Sequence, residues 1–341
     1  MATCYAASRA GVLVVHNVAV PDTGLRPAGT PSLTEYSIEC LDAARDARER
    51  AFCGTFDAGL HRSTDGGETW ERVGEATLPA SVTSATVSPH DPDVIYVGTE
   101  PSAVFRSDDG GDTWTELPGL TDLPSASAWS FPPRPDTHHV RWIEVDPADR
   151  DHLYVAVEAG ALLQTHDGGD TWEERSPSTR RDTHEMAIHP EVPDTVRAAA
   201  GDGYAESHDA GETWAFPQDG LRHRYCWSVA IDPGDPDRVL LSAAASARRA
   251  HTSASAASYL YRRTDTGSDA SAWARLDDVD VPTGEGVLRA TLAGGTEPGE
   301  LFALTDRGLF RTTDGGDSFT RVDVAWPDSF RDRTSRGLAV V

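Results

Sequence analysis

The chain contains no lysine. All 30 of its basic residues are Arg, set against 55 Asp and Glu, and its net charge at neutral pH is −25. Such a field repels phosphate backbones and anionic headgroups, which argues against nucleic acid and membrane surfaces as partners. Long apolar runs are missing near the start: Gly11-Val12-Leu13-Val14-Val15 is too short for a secretory core or a membrane span. A cytoplasmic location is the expectation. Cysteine is scarce, and Cys4, Cys40, Cys53 and Cys226 form no CxxC pair and no zinc pattern. Neither a metal nor another cofactor is therefore expected, and the thiols read as small apolar fillers of a reduced protein. Asparagine occurs once, at Asn17. Acidic excess with neither Lys nor much Asn fits a halophilic composition, in which carboxylates keep the surface hydrated while salt screens their repulsion.

What is abundant is a repeat. Ser63-Thr64-Asp65-Gly66-Gly67-Glu68-Thr69-Trp70 recurs in kind at residues 107–114, 165–172, 207–214 and 312–319. Each copy reads Ser/Thr, any residue, Asp, usually Gly, Gly, acidic, Thr/Ser, aromatic. A decayed sixth copy lies at Asp265-Thr266-Gly267, with Trp273 after a short insertion. Spacings between the Asp residues run from 42 to 58, the period of a four-stranded propeller blade with loops of variable length. Asp65, Asp109, Asp167, Asp209 and Asp314 are expected to accept hydrogen bonds from turn amides. Trp70, Trp114, Trp172, Trp214 and Phe319 are expected to pack between sheets. A feature repeated at equivalent corners suits a structural part better than one active site.

Each unit carries the same grammar. Val82 to Ser88 alternates as a first strand, Pro89-His90-Asp91-Pro92-Asp93 turns, and the β-branched Val94 to Thr99 follows as a second. The octet then joins a third strand to a fourth. Units of this kind cover about 36–73, 82–117, 140–175, 183–216, 226–276 and 287–322. Gly337 to Val341 reads as a first strand, while Thr3 to Ser8 and Gly11 to Val15 read as second and third strands. The expectation is an all-β fold: one seven-bladed β-propeller domain over 1–341. A composite blade, 1–20 plus 334–341, closes it by pairing the C-terminal strand with N-terminal strands, which removes open sheet edges.

The octet resembles the Asp-box, or BNR, repeat of sialidases, two-domain xyloglucanases, sortilin-type receptors and plastid-type photosystem assembly factors. With its Asp-Pro turns and the stretch Tyr225 to Pro233, the chain looks most like prokaryotic members labelled BNR-repeat or glycosyl hydrolase proteins. The resemblance implies the propeller, and those relatives share a scaffold and not a chemistry.

Octets and Asp-Pro turns fall on one rim of such a ring. The opposite rim carries two long loops, Pro118 to Thr137 with Trp129, Phe131 and Arg134, and Ala244 to Ser258 with Arg248, Arg249 and His251. These are either binding loops or, for the Ser/Ala-rich second one, a disordered insertion. Aligning first strands on their turns places Cys40, Ser84, Trp142, Glu185, Ser228, Arg289 and Gly337 in one tier of the channel. Glu39, Thr83, Arg141, His184, Trp227, Leu288 and Arg336 form the tier before it. The same register sets Cys40 opposite Cys53, a pair open to a disulfide only outside a reducing cytoplasm.

Charged and aromatic side chains at such positions are hard to explain as core. Arg141, Trp142, His184, Glu185, Arg224, Tyr225, Trp227, Arg289 and Arg336 form a candidate ligand-binding funnel at the mouth opposite the octet rim. Guanidinium forks and ring stacking suit an anionic or sugar-like ligand. Paired charges around water are the alternative. A non-catalytic module binding a protein or an acidic or carbohydrate small molecule is the leading reading, with a monomeric ring expected. A glycoside hydrolase is the second, with Glu185, Tyr225 and Glu39 as catalytic candidates. The sialidase resemblance implies that Arg141, Arg289 and Arg336 imitate an arginine triad and Tyr225 with Glu185 a nucleophile pair. Its Arg-Ile-Pro signature is absent, and the chain has one propeller where xyloglucanases have two. A metal-dependent enzyme using His138, His139, His184 and Glu185 is the third.

Overall fold

Alternation of β-branched and small residues builds seven antiparallel sheets in the computed structural model, which describes residues 2–18, 29–174, 178–264 and 272–341. The second unit shows the pattern: Val82–Val87, Ile95–Thr99, Val104–Ser107 and Thr115–Leu117 lie side by side in chain order. Ile38–Ala43, Ala51–Thr55, Leu60–Ser63 and Glu71–Val73 form blade one in the same way. In blades three and four the outer strand shrinks to single bridges, Gln164 to Glu173 and Glu206 to Ala215. First strands touch one another in ring order, so the sheets stand radially around a central channel as a seven-bladed β-propeller.

Cores form between blades. Phe52 and Leu60 of blade one pack with Val82, Ile95, Val97 and Trp114 of blade two, which is why second strands such as Ile95–Thr99 are buried at every position. The ring closes as the sequence implies: Ser335–Val340 pairs with Thr3–Ser8, which pairs with Gly11–His16. Backbone bonds between Thr3 and Val341, 2.8 and 3.0 Å, finish the seam.

The octets make the corners expected of them. The Ser63 hydroxyl donates to Asp65 Oδ1 (2.9 Å) and accepts from the Gly67 amide (2.8 Å), while Asp65 Oδ1 accepts from the Thr69 amide (2.9 Å). These three bonds recur around Asp109, Asp167, Asp209 and Asp314 at 2.6–3.0 Å. The Thr hydroxyl and amide four residues on pull Asp65, Asp109 and Asp167 down to about 2. Gly111 has φ +92°, and a Cβ there would stand 2.9 Å from Phe52 of the preceding blade. The corner is thus a docking point between blades. The decayed copy at Asp265 lies outside the described residues. At the adjacent Ser-equivalent position, Arg263 forms a buried two-bond fork with Glu206 of blade four, 3.0 Å on each arm.

Two registers differ from expectation. In six blades the first strand carries a bulge, at Glu39, Thr83, Arg141, His184, Trp227 and Arg336. The extra residue pairs Cys40 with Gly54 and Leu41 with Cys53, so the two thiols sit on opposite faces of the sheet and all four cysteines are free. In blade six, Thr291 pairs with Leu304 where Cys40 pairs with Gly54. Arg289 and Leu288 therefore lie two residues before the places assigned to them. The cause is the turn: Gly295 closes it on Glu300, as Asp146 does on His152, without an Asp to mark the position.

Candidate functional site

The bulge places one side chain per blade near the inner end of the channel, because the extra residue re-aims what it carries. Four of the six bulge residues, Arg141, His184, Trp227 and Arg336, gather there with Arg289. The Arg289 guanidinium lies 3.4 Å from the centre of the Trp227 ring and that of Arg141 4.8 Å from it. His184 packs against the same indole at 4.5 Å. Trp227 is the hub of the cluster.

Arg289 is 1% exposed, its Nε donates to His251 Nδ1 (3.1 Å), and both of its terminal nitrogens lack a hydrogen-bond partner. Burial pushes its guanidinium well below its ordinary value, with Arg336 and Arg141 adding to the effect. Arg141 is 7% exposed, with Nε unbonded and 3.9 Å from Glu158. Arg336 is pushed to about 10 by burial, while Glu39 opposes and Arg9 and Arg141 assist. Glu39 joins Arg336 (3.1 Å) and Arg9 (3.0 Å). Burial alone would raise its carboxyl, and the two guanidiniums outweigh that and hold it low.

Toward the rim opposite the Asp boxes, half-buried Tyr225, His251, Glu158 and Asp182 cover the cluster. Tyr225 Oη lies 2.9 Å from His251 Nε2 and 3.5 Å from His184 Nε2. His251 is supplied by the loop 244–258, which folds as the helix Ala247–His251 with Ser246 accepting at its N-cap. The loop 118–137 forms two short 3₁₀ turns, and its Arg134 forks onto Glu100 between Phe56 and Phe131.

In the other direction the channel widens into a cavity of about 440 Å³ that reaches the Asp-Pro turns Pro89, Pro147, Pro190 and Pro233. Arg141, Trp227 and Arg336 line its inner end, and its walls carry the carboxyls of Asp42, Glu144 and Glu185 together with Arg45. Burial raises Glu185 to about 8, although Ser228 Oγ (2.8 Å) and the Val229 amide (3.2 Å) donate to it. Glu144, which accepts from Trp142 Nε1 (2.8 Å), is raised to about 8 and Asp42 to about 6, both by burial first.

Several expected partners do not meet. Tyr225 bonds to His251, Glu185 accepts from Ser228 and Glu39 is committed to two arginines, so the three catalytic candidates make no hydrogen bond to one another among the described residues. Arg224 is exposed and contributes only its carbonyl, to Cys226 Sγ. His138 packs on Trp129, while His139 bonds Glu158 at 2.9 Å. Sequence reasoning missed Glu158, Asp182 and Glu144. A signal for Glu158 exists in the sequence: the residues just past the second strands, Arg9, Phe56, Glu100, Glu158 and Asp306, are as exceptional as the bulge residues.

The BNR/Asp-box repeat model matches residues 61–72. By sequence, no curated protein matches the chain. Among solved structures, a GH74 enzyme of Niastella koreensis superposes with TM-score 0.67 at 16% identity, over 93% of this chain and 51% of that one. The GH74 xyloglucanase from Xanthomonas campestris gives 0.64 at 18%, over 98% and 52%. YCF48 bound to D1 peptide gives 0.60 at 16%, over 91% and 88%. The chain spans about half the length of the GH74 chains it matches. At these identities the likeness establishes the fold.

Proposed function

We propose that this propeller is a non-catalytic binding module whose inner cluster takes an acidic group of its ligand, a carboxylate on a peptide or on a sugar acid. The observation that carries this reading is Arg289, a buried guanidinium with two unbonded terminal nitrogens, stacked on Trp227 beside Arg141. A guanidinium keeps its proton at neutral pH, and an unpaired buried charge costs several kcal/mol. An incoming carboxylate offers the two parallel acceptors that such a fork lacks, and the indole gives an apolar or sugar face something to stack on. The half-buried cover of Tyr225 and His251 supports entry from the rim opposite the Asp boxes. YCF48, the neighbour whose own length is matched almost whole, was solved with a peptide, which supports a polypeptide as the bearer of that carboxylate.

Glycoside hydrolysis is the alternative. Glu144 and Glu185, both raised to about 8, are its best remaining groups, since a carboxyl protonated at neutral pH suits a general acid. A thermal-shift and calorimetric panel of uronic acids, sialic acid, neutral sugars and acidic peptides in high salt tests the first reading. An acidic ligand should raise the melting point of the parent. It should lose that effect in Arg141→Ala and Trp227→Ala, both still folded by circular dichroism. Binding that survives both changes overturns the reading, and turnover of any bound sugar replaces it with the second.

A further inference from the structure

We propose that Glu158, Asp182 and His184 form a binding site for one divalent cation of the zinc class. One ligand atom from each residue lies within 4.8 Å of the other two, and His184 is fully buried. One imidazole and two carboxylates are a donor set for a first-row divalent metal, which imidazole favours over magnesium or calcium.

The orientation of the His184 ring is set from behind. Its Nδ1 lies 2.7 Å from the Cys226 carbonyl, which can only accept, so Nδ1 carries the hydrogen. With Nδ1 committed there, Nε2 is the nitrogen that faces the carboxylates, the orientation that a carbonyl behind the ring gives to metal-binding histidines. Nothing nearby uses that nitrogen well. Tyr225 Oη stands 3.5 Å away and is closer to His251 at 2.9 Å, and Asp182 Oδ2 is 3.6 Å away. A buried nitrogen aimed at two carboxylates beyond good hydrogen-bond range leaves room for an ion between them.

Both carboxylates are held in place, Asp182 by a backbone amide and Glu158 by an imidazole. Asp182 Oδ1 accepts from the Ala159 amide at 3.1 Å, which leaves Oδ2 turned to His184. Gly201 makes the space: a Cβ there would stand 1.9 Å from Asp182 Oδ2 and 3.2 Å from Tyr225. Glu158 accepts from His139 at 2.9 Å and keeps further lone pairs for a ligand role. Three protein ligands leave a tetrahedral ion one position for water or for an oxygen of a bound ligand.

Chelator-treated full-length protein, titrated with Zn²⁺ alone in a calorimeter, tests the site. One equivalent should bind, and Asp182→Asn and Glu158→Gln should each weaken it by more than about 10-fold. His184→Ala should abolish it, and should that variant misfold, the two carboxamide variants carry the test. Co²⁺ should show visible absorption bands of low-coordinate cobalt in the parent and lose them in Asp182→Asn. No binding by the parent overturns the proposal, as does an affinity unchanged in both carboxamide variants, which would put the ion elsewhere. No acidic ligand is present in the titration, so its failure leaves the carboxylate-binding reading standing. Carboxylate binding is in turn measured on chelator-treated protein.

Discussion

The Asp-box corners and the inner cluster obey opposite rules. At each of five corners a Ser or Thr hydroxyl, a carboxylate and two backbone amides satisfy one another with nearly the same distances, and any one corner predicts the next. At the inner end of the channel, equivalent bulge positions carry Glu39, Thr83, Arg141, His184, Trp227 and Arg336, no two blades alike beyond a repeated Arg, and guanidinium nitrogens stay unbonded. Repetition with full satisfaction marks the scaffold, and departure from repetition with unsatisfied groups marks where a ligand would act. Blade five shows that the corner itself is replaceable, since the Arg263–Glu206 fork stands where a Ser anchor would.

That contrast breaks most visibly at the seam. Deleting residues 337–341 should cost several kcal/mol and lower the melting temperature by on the order of 10 °C, read by circular dichroism, because blade seven loses its inner strand. An unchanged melt would mean the ring does not depend on closure. Arg289→Met comes next and separates the two regions. Carboxylate binding should fall by about 100-fold, while stability holds or rises by ~1–4 kcal/mol, since an unpaired buried charge has been removed. A large loss of stability would place Arg289 with the scaffold instead.

A smaller effect is set by pH. Glu144 keeps its proton in the fold up to about 8 against 4.5 in the open chain, so the parent should lose stability as pH rises between those values and level off above them. Glu144→Gln should make that slope shallower, with Glu185 and Asp42 supplying what remains, and should melt a few degrees higher at alkaline pH. Equal profiles would show that Glu144 ionises freely in the cavity. The smallest change is at a corner. Asp109→Ala removes the acceptor for Thr113 and should lower the melting point by a few degrees with ligand binding intact. A loss of binding there would tie the corners to the site.

Architecture was readable because it is written several times over. An Asp, two Gly and a Trp at fixed offsets give the corner, and the corner gives the blade. The closing strand was readable because Gly337 to Val341 repeats a pattern met six times before it. Registers failed where a single residue broke the pattern. The bulge at Glu39 cannot be seen in an alternating string, so Cys40 and Cys53 were set face to face, and the Asp-free turn at Gly295 shifted Arg289 by two places. Arg289 joins the cluster nonetheless, because its long side chain reaches Trp227 from the neighbouring tier. Asp182 stayed hidden for another reason: a loop brings it in, and loop paths are set by tertiary contacts such as Ala159 to Asp182 rather than by period.

The seam also governs how the chain reaches its shape. Ala6 and Leu338, 332 positions apart, are direct partners, so a strand made early must wait for one made much later. Until then Thr3–Ser8 offers an unpaired edge, and the six other blades form an open arc. Contacts of such range slow folding and lengthen the interval in which that edge is available. The edge fits the closing strand of any copy as well as its own, so crowded nascent chains can trade strands and emerge as interlocked pairs. Mutual repulsion between two chains of −25 each works against that exchange. The acidity that hydrates the surface thus also guards the ring's assembly, and dilution during refolding should raise the yield of single rings.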